Sequence, residues 1–198
     1  MTQKLLIITA FLCCLHVKAQ ENLSYGVSVG TNVYSMLTDR NTSFNSNGSF
    51  SIPEYAGLYI GAYGNYQLNN HFGVVADVAY EQRTIDIVPR VKLSFISISP
   101  KVKFDVNGSY NQGFYLKSGL RYSMLTTAET SDGGIDVKEA YKNGLFSLNF
   151  GMGTDFANIL GLELIFDYSL ADAFDVDVKS KLLGAYALLT VDIEKLIK

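Results

Sequence analysis

The chain has 198 residues, the size of one domain, and is 48% hydrophobic and 13% aromatic with a mean hydropathy of +0.14. Its Lys and Arg (16) nearly balance its Asp and Glu (19), and no basic run or interleaved aromatic–basic patch occurs, which excludes a nucleic-acid surface. Tyr (13), Phe (12) and Gly (17) against 3 Pro and no Trp point to strands rather than disorder.

The first twenty residues form a separate object. Lys4 supplies a positive start, Leu5 to Leu15 is an apolar run, and Val17-Lys18-Ala19 ends in a small residue. This pattern predicts a secretory signal peptide over residues 1–19, cleaved after Ala19, with a single domain over 20–198. The apolar run is well short of the roughly 20 residues a spanning helix needs. Both cysteines, Cys13 and Cys14, fall inside it, so the exported chain would have no disulfide, thiolate nucleophile or Cys metal site. Phe11 and Leu12 stand where a lipidated cysteine would need small residues. A cysteine-free exported β chain fits the bacterial envelope.

Eight alternating segments follow. The first, about Leu23 to Tyr34, sets Leu23, Tyr25, Val27, Val29 and Val33 against Ser24, Gly26, Ser28, Gly30 and Asn32. A long polar loop, 36–54, leads to a second strand, Tyr55 to Leu68, and Asn69-Asn70-His71 reads as a tight turn. The third runs Phe72 to Arg83 and the fourth, after a connection holding Pro89, Leu93 to Val106. Pro100 sits on the apolar face of the fourth; it removes a ladder donor, so a bulge or local gap is expected there. The turn Asn107 to Gln112 precedes a fifth strand, Phe114 to Leu125, and a second long loop, 126–143.

The clearest stretch is Gly144 to Leu170, a hairpin broken at Ala157-Asn158-Ile159. Phe146, Leu148, Phe150, Met152 and Phe156 share one face of its first strand, and Leu162, Leu164, Phe166, Tyr168 and Leu170 one face of its second; Ile165 breaks the pattern. A connection with Asp172, Asp175 and Asp177 leads to the eighth strand, Lys181 to Ile193, blurred by Leu182 and Leu188.

An even number of strands of about ten or more residues, with connections alternating between long and short, predicts an all-β fold: an eight-stranded antiparallel up-and-down transmembrane β-barrel with both termini at the short-turn end. One face carries Leu, Ile, Val, Phe and Tyr and the other Gly, Ser, Asn and charges, which suits lipid outside and a polar lumen inside better than a soluble sandwich or lipocalin-like barrel. Tyr25, Tyr66, Phe72, Tyr80, Phe104, Phe114, Phe146, Phe156 and Tyr168 read as interfacial girdles, although aromatics also simply suit strands.

The polar faces carry Asp77, Glu81, Arg83, Lys101, Lys103, Lys117, Arg121, Asp155, Glu163 and Asp167, with Asp192 on the last strand. Eight strands enclose a lumen only wide enough for side chains. These residues are therefore expected to form an inward ion-pair interior that closes it; the alternative is charges in wet lumen ends, individually unimportant. No catalytic constellation is legible. After the signal the one histidine is His71, in a turn, so no Ser-His-Asp set can be built on the opposite rim. Glu163 and Asp167 share a strand face, but beside Lys and Arg a structural pair is the plainer reading. Asp172, Asp175 and Asp177 match no calcium loop. No cofactor or metal is expected.

Two segments carry a family likeness. Tyr115 to Thr127 (YLKSGLRYSMLTT) and Phe146 to Asp172 (FSLNFGMGTDFANILGLELIFDYSLAD), with Ile98-Ser99-Pro100 before Lys101, resemble PorT-type outer-membrane β-barrel proteins of Gram-negative bacteria. The resemblance spans most of the chain after the signal and implies outer-membrane lipid as surroundings, no enzymatic activity, and a structural or interaction role linked to protein secretion. Partners would be other envelope proteins, met through loops 36–54 and 126–143. A small channel and a soluble periplasmic ligand-binding barrel are the alternatives. Such barrels usually end on an aromatic residue read by the assembly machinery, where this sequence has Asp192 to Lys198 (DIEKLIK), so an internal signal or an unusual insertion is expected.

Overall fold

The computed structural model describes residues 22–38, 56–86, 89–157, 159–175 and 179–197. The expected signal peptide, most of the first long loop and Asp177 lie outside the described residues. Eight strands, β1 (Leu23–Thr38), β2 (Gly57–Gln67), β3 (Phe72–Ile85), β4 (Val91–Asp105), β5 (Gly113–Thr130), β6 (Gly144–Ala157), β7 (Leu160–Ser169) and β8 (Ser180–Asp192), precede a short helix, α1 (Ile193–Ile197). Each strand pairs antiparallel with the next, and β8 returns to β1 from Gly26↔Asp192 to Thr38↔Ser180, closing the barrel. The expected up-and-down topology is the observed one. No helix among the described residues is long and apolar enough to cross a membrane.

Strict alternation fixes the faces. Outward on β6 and β7 stand Phe146, Leu148, Phe150, Leu162, Leu164, Phe166 and Tyr168, all exposed, while Ser147, Asn149, Glu163 and Asp167 between them are buried. Ile165, Leu182 and Leu188, which disturb the sequence pattern, all point inward into an apolar cluster. Tyr25, Tyr66, Phe72, Phe104, Phe114 and Phe156 ring the outside at the short-turn end; Tyr80, Tyr122, Phe146 and Tyr168 ring it toward the other end. On β6, Phe146 and Phe156 are ten residues apart, which at about 3.3 Å per residue and a tilt of about 40° spans about 25 Å, the height of a lipid-facing band. Below we call the short-turn end the inner end, as in barrels with short periplasmic turns.

At the outer end strands run on past their expected limits, β3 and β4 by two residues each, to Ile85 and from Val91, and β1 and β5 by more. β1 continues through Thr38 and β5 through Thr130, into segments whose polarity reads as loop. The reason is an inversion. Above the outer aromatic ring, Ile85, Val91, Leu93, Phe95, Leu125, Ala128, Leu145 and Leu182 are buried inside, and Ser35, Lys92, Thr127 and Glu129 are exposed outside. The barrel is apolar-out within the band and apolar-in above it, so its outer part is built like a water-soluble core. A register shift at Ser94/Phe95 on β4 falls in this outer region. Pro100 itself pairs with Ala76 on β3. Toward β5 the ladder lapses between Ile98↔Tyr122 and Lys101↔Gly119 and resumes in the same register, so the proline opens a gap and not a bulge.

Phe150→Arg or Leu164→Arg puts a cation in the middle of the apolar band and is expected to cost about 2–4 kcal/mol of folding stability, whereas Thr127→Arg, outward but above the outer ring, costs about 0–1 kcal/mol. Equilibrium unfolding in phospholipid vesicles measures all three; equal losses would mean the band is misplaced.

Candidate functional site: the lumen

All ten charged residues read from the sequence as inward line the lumen, and the structure sorts them into layers. Glu81, Arg83, Arg121 and Asp167 form the central one and are all buried. Arg83 Nη2 donates to Glu81 Oε1 at 2.7 Å and to Ser123 Oγ at 2.9 Å. Arg121 Nη1 lies 3.6 Å from both Glu81 Oε2 and Asp167 Oδ1, and its Nε donates to Ser99 Oγ at 3.0 Å. Two carboxylates thus face two guanidiniums, and the layer is neutral. Toward the inner end come Lys101 bonded to Asp77 and Lys117 bonded to Glu163, again two of each sign. At the inner mouth Lys103 lies 3.3 Å from Asp155 and 3.7 Å from Asp105. The apposition of acidic and basic strands takes the form of lateral pairs along the wall: basic β4 and β5 stand between acidic β3 on one side and β6 and β7 on the other.

What holds these charges does not stand out in the sequence. Tyr34, Tyr59, Tyr115 and Tyr186 are buried in the lumen. The Tyr34 hydroxyl donates to Asp167 Oδ2 at 2.7 Å and lies against the Tyr186 hydroxyl, which donates to Glu81 Oε2 at 2.5 Å. Tyr115 donates to Glu163 Oε1 at 2.9 Å. The rings also cover the cations: Arg83 sits 4.4 Å over Tyr34 and 4.5 Å over Phe95, Arg121 4.4 Å over Tyr186, and Lys103 3.9 Å over Tyr115. Asn149 donates to Asp167 from β6. The inward glycines make room for the rings. A Cβ on Gly184 would fall 2.5 Å from the Tyr34 ring, and one on Gly153 2.5 Å from that of Tyr115. Tyr59, Tyr115 and Tyr186 fall in alternation with outward Leu58, Phe114 and Ala187, the one signal in the sequence that could have found them.

Both ends are covered. Outside, the backbone of the β5–β6 loop pairs with that of the β7–β8 loop: Lys142 N–H donates to Ala173 C=O at 2.9 Å and Asp175 N–H to Ala140 C=O at 3.0 Å. Tyr141 and Ala173 are thereby buried on the apolar layer, with Phe174 5.0 Å from Tyr141 between ring centroids. Burial pushes the Tyr141 phenol up to about 12. At the base of this cover Asp172 accepts from Ser180 N–H at 3.0 Å and lies 3.5 Å from Lys181; that amide first, and the ammonium, hold its carboxyl below the usual range. Inside, a polar cavity of about 20 Å³ lies among residues that include Tyr63, Lys103, Lys117, Asp155, Glu163 and Asp192, space on the scale of a water molecule. His71 is exposed at the inner end, its Nδ1 2.8 Å from the carbonyl of Asp105.

A closed eight-stranded barrel with an apolar outer band and a packed polar lumen defines a membrane-spanning β-barrel protein. The profile of the outer membrane protein beta-barrel domain matches residues 18–175, and the chain belongs to that family, whose place is the lipid bilayer of the outer membrane. It is similar to a number of solved structures, of which three serve as examples. Ail, the attachment invasion locus protein of Yersinia pestis, is 14% identical, with 86% of this chain and 98% of that one covered and a TM-score of 0.49. Neisserial surface protein A is 16% identical, with 84% and 96% covered and a TM-score of 0.49. OprG from Pseudomonas aeruginosa is 10% identical, with 86% and 91% covered and a TM-score of 0.43. No curated protein matches the sequence.

Glu81→Ala leaves Arg83 and Arg121 short of a carboxylate in a dry layer and is expected to destabilise the barrel by about 3–5 kcal/mol. The double replacement Asp77→Leu with Lys101→Met, which removes both members of a pair, is expected to cost less than either single change. Denaturant unfolding of the refolded variants reads both; additive losses for Asp77 and Lys101 would contradict the pairing.

Proposed function

We propose that this protein is a non-enzymatic barrel of the outer membrane with a closed lumen, whose role is structural or interactive. The filled lumen carries this reading. Its central and lower layers hold equal numbers of opposite charges, an apolar layer lies above them, and the polar space below has room for little more than water. Such an interior gives neither a conducting path nor a ligand pocket, so work is left to the surfaces beyond the bilayer. Of the two segments expected to meet other envelope proteins, 36–54 and 126–143, the first residues of each belong to β1 and β5, so the contacts would fall to the chain beyond Thr38 and Thr130. The backbone pairing of the second of these with the β7–β8 loop favours a preformed surface there. The PorT-type motifs extend the reading to a place beside a machinery that secretes proteins across the outer membrane, and the apolar start of the sequence to export by a signal cleaved after Ala19.

Three measurements test the reading. Extraction from envelopes should require detergent, and the folded protein should migrate differently from the boiled one on a detergent gel. In planar bilayers the purified protein should show no steady ionic conductance. Clear conductance would establish the small-channel alternative, and release without detergent a soluble barrel.

A further inference from the structure

The turn between β4 and β5 does more than reverse the chain. At the inner end the β2–β3 and β6–β7 connections span only 68–71 and 158–159, whereas this one spans 106–112, longer even than the β3–β4 connection, 86–90, on the outer side. Three of its residues or neighbours have positive φ: Gly108 (72°), Asn111 (58°) and Gly113 (77°). Asn111 is the only non-glycine in that region among the described residues, and Asn is one of the few side chains that accept it. The result is a turn folded over the mouth of the barrel. Its Tyr110 ring rests where a Cβ on Gly73 would stand, and the Tyr110 hydroxyl donates to Asn65 Oδ1.

Asn111 ties that turn to the wall on several sides. Its Oδ1 accepts from Asn65 Nδ2 on β2 at 3.0 Å and from Lys103 Nζ on β4 at 2.8 Å. Its Nδ2 donates to Ser24 Oγ on β1 at 3.3 Å, and its carbonyl accepts from Lys195 Nζ on α1 at 3.4 Å. Ser24, Asn65 and Asn111 also line the small polar cavity, together with Lys117, Glu163 and Thr190 deeper in the wall. Nothing in the reversal of one strand into the next demands a side chain bonded to β1, β2 and β4 at once, on a residue whose carbonyl is bonded to α1.

We propose that the β4–β5 turn is a latch, held by Asn111, that closes the inner mouth, and that its release opens the lower lumen to the periplasmic side as a blind, water-filled chamber. The chamber is blind because the Arg–Glu–Asp layer and the apolar layer above it do not depend on the turn. The proposal rests on the closed-barrel reading and adds to it a side from which the interior can be reached.

Single cysteines test it, in the full chain with Cys13 and Cys14 changed to serine. Thr190→Cys places a thiol on the cavity wall; Ser147→Cys places one in the fully buried wall nearer the outer end. In detergent micelles the probe is a small cationic methanethiosulfonate. With Asn111 intact both thiols should react slowly. Asn111→Ala should speed labelling at position 190 by about tenfold or more, the shift in opening expected from losing a few hydrogen bonds, and leave position 147 unchanged. Asn65→Ala, which removes one tie of Asn111 and the acceptor of Tyr110, is a second route to the same result if Asn111→Ala does not refold. Unchanged labelling at position 190 in a folded variant overturns the latch. Equal acceleration at both positions overturns it too, since the whole wall would then have loosened. Conductance by the unaltered chain would instead overturn the closed-barrel reading, a result that labelling rates alone cannot produce.

Discussion

In hydrocarbon a backbone N–H or C=O has no water to bond, so each must find a partner within the protein. For strands the solution is closure, and here closure depends on one seam, the ladder between β1 and β8 from Gly26↔Asp192 to Thr38↔Ser180. The rest of the architecture follows. A ring of eight strands encloses a space that side chains alone can fill. The outward faces are committed to lipid, so the inward faces must supply the polar residues. In that dry space a charge is tolerated only with its counter-charge and hydrogen bonds beside it. The layers centred on Arg83 and Arg121 supply the counter-charges with carboxylates from β3 and β7, which phenols from β1 and β8 hold in place; the hydrogen bonds are only partly made, since Arg83 Nε and Nη1 and Arg121 Nη1 and Nη2 have none to the described residues.

The tyrosines and glycines belong to the same solution. A phenol gives a hydroxyl to a carboxylate and a ring face to a cation, so one side chain serves both halves of an ion pair. Tyr186 does this for Glu81 and Arg121, and Tyr34 for Asp167 and Arg83. A ring of that size must lie flat along a crowded wall, and Gly184 gives the Tyr34 ring the place a side chain would take. Glycine on the inner face therefore acts as a seat for an aromatic ring as well as easing curvature.

The strands, their faces and their order were legible because one force acts uniformly along each: lipid on one side and a polar lumen on the other impose a two-residue period. The Gly144 to Leu170 hairpin lies almost wholly within the band and shows that period most clearly. The sequence misleads where the force changes. Thr126 to Thr130 reads as loop because its outward residues face water, yet Ala128 inside is fully buried and the segment is strand. Ile165, Leu182 and Leu188 look like errors of phase and are inward members of the apolar cluster. The inward charges could be read from alternation, but their partners could not. Arg121 meets Glu81, and Tyr34 meets Asp167 and Gly184, across sequence distances that no local pattern spans. The role of Asn111 depends on Ser24 and Lys195 at opposite ends of the chain.

The inversion of polarity along the barrel axis also bears on where the protein can act. Within the band, the polar interior is held by charges whose separation is costly, which leaves it little freedom to rearrange. Above the band, the interior is held by Leu93, Phe95, Leu125, Leu145 and Leu182 and covered by Tyr141 and Ala173, a core of the kind that lets a water-facing surface vary without disturbing its support. The loops at that end stand on a rigid base and are decoupled from the lumen by a dry layer. At the inner end no such layer intervenes. There the polar lumen reaches the mouth and meets a turn bound by neutral and charged hydrogen bonds, which water can replace far more readily than it can open an apolar core. The two ends of the barrel are therefore unequal by construction: the outer end is suited to present a fixed surface, and any opening of the interior belongs to the inner one.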